Sequence, residues 1–147
     1  MAIKSKQLVA LDSMVFIYYL DATDKKLNSA AEFLIEPLLQ NKGQAITSII
    51  SVVETLSTPR YLGDQERLES YSLFFLSLPN LTVENVSWDI AQEAARLRRE
   101  NKSLRTPDSI QLATALINKA DVFITNDTRL TKLPHPPLKI LSLSDIK

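Results

Sequence analysis

The chain has 147 residues, 45% of them hydrophobic, and its 17 Lys plus Arg balance its 17 Asp plus Glu to a formal net charge of zero. That is the size of one ordinary domain with enough apolar residues for a core, and zero net charge argues against coating nucleic acid by charge alone, while leaving room for a local basic groove. No Cys, one His and two Gly exclude disulfides and thiolate metal sites, disfavour a His-rich zinc site and leave no glycine-rich phosphate loop.

No apolar run approaches the roughly 20 residues that a membrane span needs. The start, Met1-Ala-Ile-Lys-Ser-Lys-Gln7, precedes only a short apolar stretch that Asp12 interrupts, which does not read as a signal peptide. A cytoplasmic protein is the expectation.

Leu8–Leu11 reads as a buried strand, with Asp12 at its C-terminal end. Met14–Leu20 reads as a second strand or, preferably, a helix capped by Asp12 or Ser13. Asn28–Asn41 has helical spacing through Ala31, Phe33, Leu34, Leu38 and Leu39; Pro37 should kink or divide it and Gly43 end it. Gln44–Thr47 is a short strand. Ser48 can cap a helix over Ile49–Ser57, with Ile49, Ile50, Val52, Val53 and Leu56 as its apolar face and Glu54 at the margin. Pro59 stops it.

Gly63-Asp-Gln65 opens another helix, in which Leu68, Tyr71, Phe75 and Leu78 keep helical spacing. Phe74 and Leu76 are a surplus that suits core packing or a partner surface. After Pro79-Asn80 come a strand at Leu81–Val86 and a helix from Ser87 to about Asn101, with Ile90, Ala94 and Leu97 inward. Arg96, Arg98, Arg99, Lys102 and Arg105 follow one another closely and read first as a solvated basic face.

The densest signal is Arg105 to Leu130. Thr106 is a good N-cap, Pro107 suits the first helical position, and Asp108 in the first turn meets the positive end of the helix dipole. Ile110, Leu112, Ala113, Leu116, Ile117 and Ala120 fill one arc, with Asp108 at its rim. Val122–Ile124 is a buried strand that delivers Thr125, Asn126 and Asp127 at its C-terminal end, followed by a polar loop. His135 lies in an exposed Pro-rich loop, and Lys139–Leu143 is a last strand. Strands and helices alternate throughout, with no repeat or linker, so 1–147 reads as one α/β domain: a central parallel sheet of about five strands flanked by helices on both faces.

In such a sheet Asp12 and Asp127 lie at strand ends, and Glu54 and Asp108 lie on helices that begin at the same edge, where ligands bind. Two like charges about 4 Å apart repel by about 4 kcal/mol at an effective dielectric near 20. Protonation or a bound cation relieves that. Oxygen-only ligands suit hard ions, Mg²⁺ or Mn²⁺, and such an ion keeps water positions of the kind phosphodiester hydrolysis uses.

Leu11-Asp-Ser-Met-Val-Phe-Ile-Tyr-Tyr-Leu20, Ser48-Ile-Ile-Ser-Val-Val-Glu54, Thr106-Pro-Asp-Ser-Ile-Gln-Leu-Ala-Thr-Ala115 and Phe123-Ile-Thr-Asn-Asp127 together resemble the PIN-domain ribonucleases, and in size and spacing the VapC-type toxins of bacterial toxin–antitoxin pairs. The resemblance implies a metal-dependent endoribonuclease. Asp12, Asp108 and Glu54 would hold a first ion. Asp127 would complete the site or hold a second ion arriving with RNA. Ser13, Thr125 and Asn126 would orient carboxylates or waters. It further implies an RNA substrate, a small antitoxin protein that blocks the cleft, and a homodimer, for which the Leu68–Leu78 helix offers a surface. A PIN-fold RNA-processing nuclease without an antitoxin and a non-catalytic PIN-fold interaction module are the alternatives. A phosphoryl-transfer receiver domain would need a Lys at the late strand end, where this chain has Thr125-Asn-Asp127.

Overall fold

In a computed structural model that describes residues 6–146, five strands form one parallel sheet in the order β3-β2-β1-β4-β5. The first five residues of the amino-terminal stretch lie outside the described residues. The strands are β1 Leu8–Leu11, β2 Gln44–Ser48, β3 Leu81–Glu84, β4 Val122–Thr125 and β5 Ile140–Ser142. The helices are α1 Ser13–Asp21, α2 Lys25–Leu39, α3 Ile49–Leu56, α4 Gln65–Ser77, α5 Trp88–Glu100, α6 Thr106–Ile117 and the short α7 Thr128–Thr131. Among the described residues no helix is long and apolar enough to cross a membrane.

The central strands are continuously apolar because both of their faces are covered. Val9 and Leu11 of β1 and Val122 and Ile124 of β4 face a core shared with Phe16 of α1, Leu34 and Ile35 of α2 and Phe75 of α4. Ala10, Ile46 and Phe123 face the opposite core with Ile90 and Leu97 of α5 and Leu112 and Ala113 of α6. Helices therefore flank the sheet on both sides, as expected.

The chain builds outward from β1 through β2 to β3, then crosses back to place β4 on the other side of β1. The carboxyl ends of β1 and β4 thus flank the point where strand order reverses, which opens a crevice above the sheet. Register fixes its floor: Leu11 pairs with Ile124, and the Asp12 amide extends the ladder by donating to the Ile124 carbonyl at 3.0 Å.

Several element ends differ from the sequence reading. Helix α2 begins at Lys25 because the Asp24 side chain accepts from the Leu27 amide. It runs through Pro37 to its end at Leu39; just past it the φ of 55° at Asn41 turns the chain and lets the Lys42 amide reach the Pro37 carbonyl, and Gly43 lies beyond that stop. Helix α6 starts one residue earlier than expected. Arg105 is its cap residue, with no side-chain capping bond, and Thr106 is already helical. The loop after Asp127 is instead the four-residue α7. In α3 the deeply buried positions are Ser51 and Thr55, while Val53 of the expected apolar face is 57% exposed. Ser51 turns inward to bond Thr47 and Gln111.

Candidate active site

Asp12 sits where β1 hands over to α1. Its backbone is extended, and its side chain caps the helix by accepting the Ser13 amide at 2.7 Å on Oδ1. The Ser13 hydroxyl approaches the same oxygen at 3.3 Å, and the Thr125 hydroxyl donates to Oδ2 at 2.6 Å. Capping and site placement are therefore one geometry: the bonds that finish the helix also fix the carboxylate. Thr125, fully buried at the end of β4, accepts the Asp127 amide on its own Oγ1 at 3.0 Å. One hydroxyl thus ties the first acid to the last across two neighbouring strands.

Asp12 is 8% exposed. Burial pushes its carboxyl up to about 6, against the pull of the Thr125 and Ser13 bonds and with the charges of Glu54 and Asp108 adding to the rise. Neither Asp12 nor Glu54 makes an ion pair among the described residues. The other two acids face arginines. Asp127 caps α7 through the Arg129 amide at 2.9 Å and is gripped by the Arg129 guanidinium, which meets both of its oxygens. That pairing holds its carboxyl below the usual carboxylate range. Asp108, in the first turn of α6, lies 3.5 Å from the Arg105 Nε and 3.9 Å from an Arg129 nitrogen.

Asp12, Ser13, Glu54, Asp108, Asn126 and Asp127 line one cleft of about 290 Å³, with Met14 and Arg105 completing the wall. The structure brings all four acids of the sequence reading to this cleft, on four different elements or their ends. Ser13 and Thr125 bond Asp12 directly; Asn126 lines the wall.

Sequence reasoning missed the support beneath Glu54. Gln111, buried in the middle of α6, donates to Ser51 Oγ at 2.7 Å and reaches Glu54 Oε1 at 3.5 Å. Ser51 lies 2.6 Å from the Thr47 hydroxyl, which donates to the Leu11 carbonyl at 2.7 Å. This buried chain of polar groups joins β1, β2, α3 and α6 one layer below the acids. It also explains why α3 turns Ser51 inward; the hydroxyl of Thr55, buried one turn further on, has no hydrogen-bond partner among the described residues. The available signal was a lone Gln inside an otherwise apolar helix, since a buried amide must find partners.

The donor set fits a hard divalent ion: it is carboxylate oxygen throughout, and one buried carboxyl has no positive partner. Asp12, Glu54 and Asp108 are the groups that could hold it. Among the described residues no three such groups lie close enough to enclose an ion as the side chains stand, with Arg129 and Arg105 drawing Asp127 and Asp108.

No curated protein matches the chain at a significant level. Among solved structures it is similar to VapBC2 from Rickettsia felis, bound to a promoter DNA fragment, at a TM-score of 0.70 and 18% identity over 92% of this chain and 98% of that one. A toxin–antitoxin complex from Klebsiella pneumoniae gives a TM-score of 0.63 at 22% identity, covering 94% and 98%. The Mycobacterium tuberculosis toxin VapC20, which cleaves the sarcin–ricin loop, gives 0.60 at 18% identity, covering 80% and 87%. These likenesses establish the shared fold. Residues 9–136, nearly the whole chain, match the family model for the PIN domain, and the chain belongs to that family.

Proposed function

We propose that this protein is a divalent-metal-dependent endoribonuclease and the toxin of a toxin–antitoxin pair. The observation that carries the reading is Asp12: a buried carboxyl with no cationic partner, in a cleft it shares with three further acids. Family membership and the fold shared with toxin structures support the same conclusion.

Asp12, Glu54 and Asp108 would hold a first Mg²⁺ or Mn²⁺, and Asp127 would complete the site or serve a second ion that arrives with RNA. A bound ion supplies an acidified water and neutralises charge on the phosphate. The chain's own groups do the positioning. Thr125 and Ser13 hold both oxygens of Asp12 in one orientation, and Gln111 steadies Glu54 from below. Asn126 stands on the cleft wall beside the acids, where its amide can orient a carboxylate or a water. No side chain is required as a covalent nucleophile.

The partners follow from the same reading: RNA as substrate, a small antitoxin that blocks the cleft, and a second copy of the chain. Leu73 and Leu76, 62% and 86% exposed on α4, are the surface assigned to pairing. Cleavage of structured RNAs with Mg²⁺ or Mn²⁺ tests the chemistry. Wild type cuts, and Asp12→Asn and Asp108→Asn each lose at least about a hundredfold in rate, the scale of losing about 2.7 kcal/mol of transition-state stabilisation. Undiminished metal-dependent cleavage by both variants overturns the reading.

A further inference from the structure

The cleft is electrically divided. At one end, Asp12 and Glu54 lack any ion pair among the described residues. At the other end, Arg129 bonds both oxygens of Asp127. Its Nε lies 3.1 Å from Oδ1, an Nη meets Oδ2, and its backbone amide takes Oδ1 as well. The same guanidinium reaches toward Asp108 at 3.9 Å. A carboxylate with both oxygens bonded to a planar fork offers little to a metal ion, because the ion must first displace two charge-assisted bonds. Yet the fork is not locked in place. The Arg129 side chain is half exposed, and α7 is a single short turn at the cleft rim.

We propose that Arg129 is an internal competitor for cation at Asp127, so that the resting cleft accepts one divalent ion, centred on Asp12, and Asp127 joins only when the guanidinium is drawn away. This rests on the reading of the cleft as a divalent-cation site. A phosphate entering the cleft is the natural displacing group, since guanidinium pairs with phosphate oxygens in the same forked geometry. Arg129 is thus a positioning residue: it acts through Asp127 and couples completion of the acid set to arrival of a phosphate-bearing chain.

Calorimetric titration of the full chain with Mn²⁺ alone, without RNA, tests it. Wild type binds one Mn²⁺ and Arg129→Ala binds two. The Arg129→Ala/Asp127→Asn double variant returns to one, and Asp12→Asn loses the first. Arg129→Lys, which keeps the charge without the fork, takes the second ion more weakly than Arg129→Ala does. Thermal melting of each variant reports folding, and Arg129→Gln repeats the test if alanine loosens α7. One ion on both wild type and Arg129→Ala, or two on both, overturns the competition and leaves the cation-site reading standing. No ion on either protein overturns both.

Discussion

At the scale of single residues, Asp12 is asked to be two things at once. As a helix cap it needs only its backbone setting and one oxygen; in the ion site proposed for it, it would have to be charged inside a poorly solvated pocket. The cost appears as a carboxyl raised from 3.8 to about 6. A folded state that holds a proton more tightly than the unfolded chain loses stability as pH rises between those two values. The metal-free protein should therefore lose about 3 kcal/mol through this group as pH rises from well below 4 to well above 6, about 2 kcal/mol of it between pH 4 and pH 6. Asp127, held low by Arg129, contributes with the opposite sign and loses stability as pH falls. Asp12→Asn should abolish the first loss and melt higher than wild type at pH 7 without added metal; urea titrations across that pH range measure it. Thr125→Val should cost about 2 kcal/mol, because it strands a buried Asp12 oxygen and the Asp127 amide together. The candidate acids were legible in the sequence because strand ends and first helical turns are local features. The partner of each was not. Nothing in the order of residues says that Arg129 folds back on Asp127 while Asp12 is left without a cation.

At the scale of elements, strand placement was largely readable, since buried parallel strands are short apolar runs and few other elements look the same. Helix ends were less so. Asp24 starts α2 a turn before its apolar spacing begins, and Asn41 stops it before Gly43 can. The orientation of α3 departs from its apolar spacing for a physical reason: its apolar side chains outnumber the buried positions, and although Val52 packs against the core, the two fully buried residues, Ser51 and Thr55, are polar. Amphipathic counting assumes an oily core, whereas α3 packs over the Thr47–Ser51–Gln111 chain. That chain couples α3 to α6, so it couples Glu54 to Asp108. Gln111→Leu should cost about 1–3 kcal/mol in denaturant titration by leaving Ser51 without its donor. It should also slow RNA cleavage about tenfold by loosening Glu54. Cleavage at wild-type rate would show that the seam serves stability alone.

At the scale of the whole molecule, the reversal of strand order between β1 and β4 decides where the acids meet. Four carboxylates spread along more than a hundred residues reach one edge because every strand points the same way. The alternating pattern was enough to anticipate this; the surface was harder to read. Leu62, Leu73 and Leu76 remain largely exposed, and hydrophobic spacing alone cannot separate a core helix from a partner-facing one. If α4 mediates pairing, Leu73→Glu/Leu76→Glu should turn a dimer into a monomer in sedimentation, with the melting temperature nearly unchanged. The central claim is that one cleft unites these acids around a hard ion. Crystals grown with Mn²⁺ and measured for its anomalous signal test that most directly. The predicted result is a peak bounded by Asp12, Glu54 and Asp108 that disappears in Asp12→Asn. A cleft without manganese at saturating concentration, or manganese bound only elsewhere on the molecule, would contradict it.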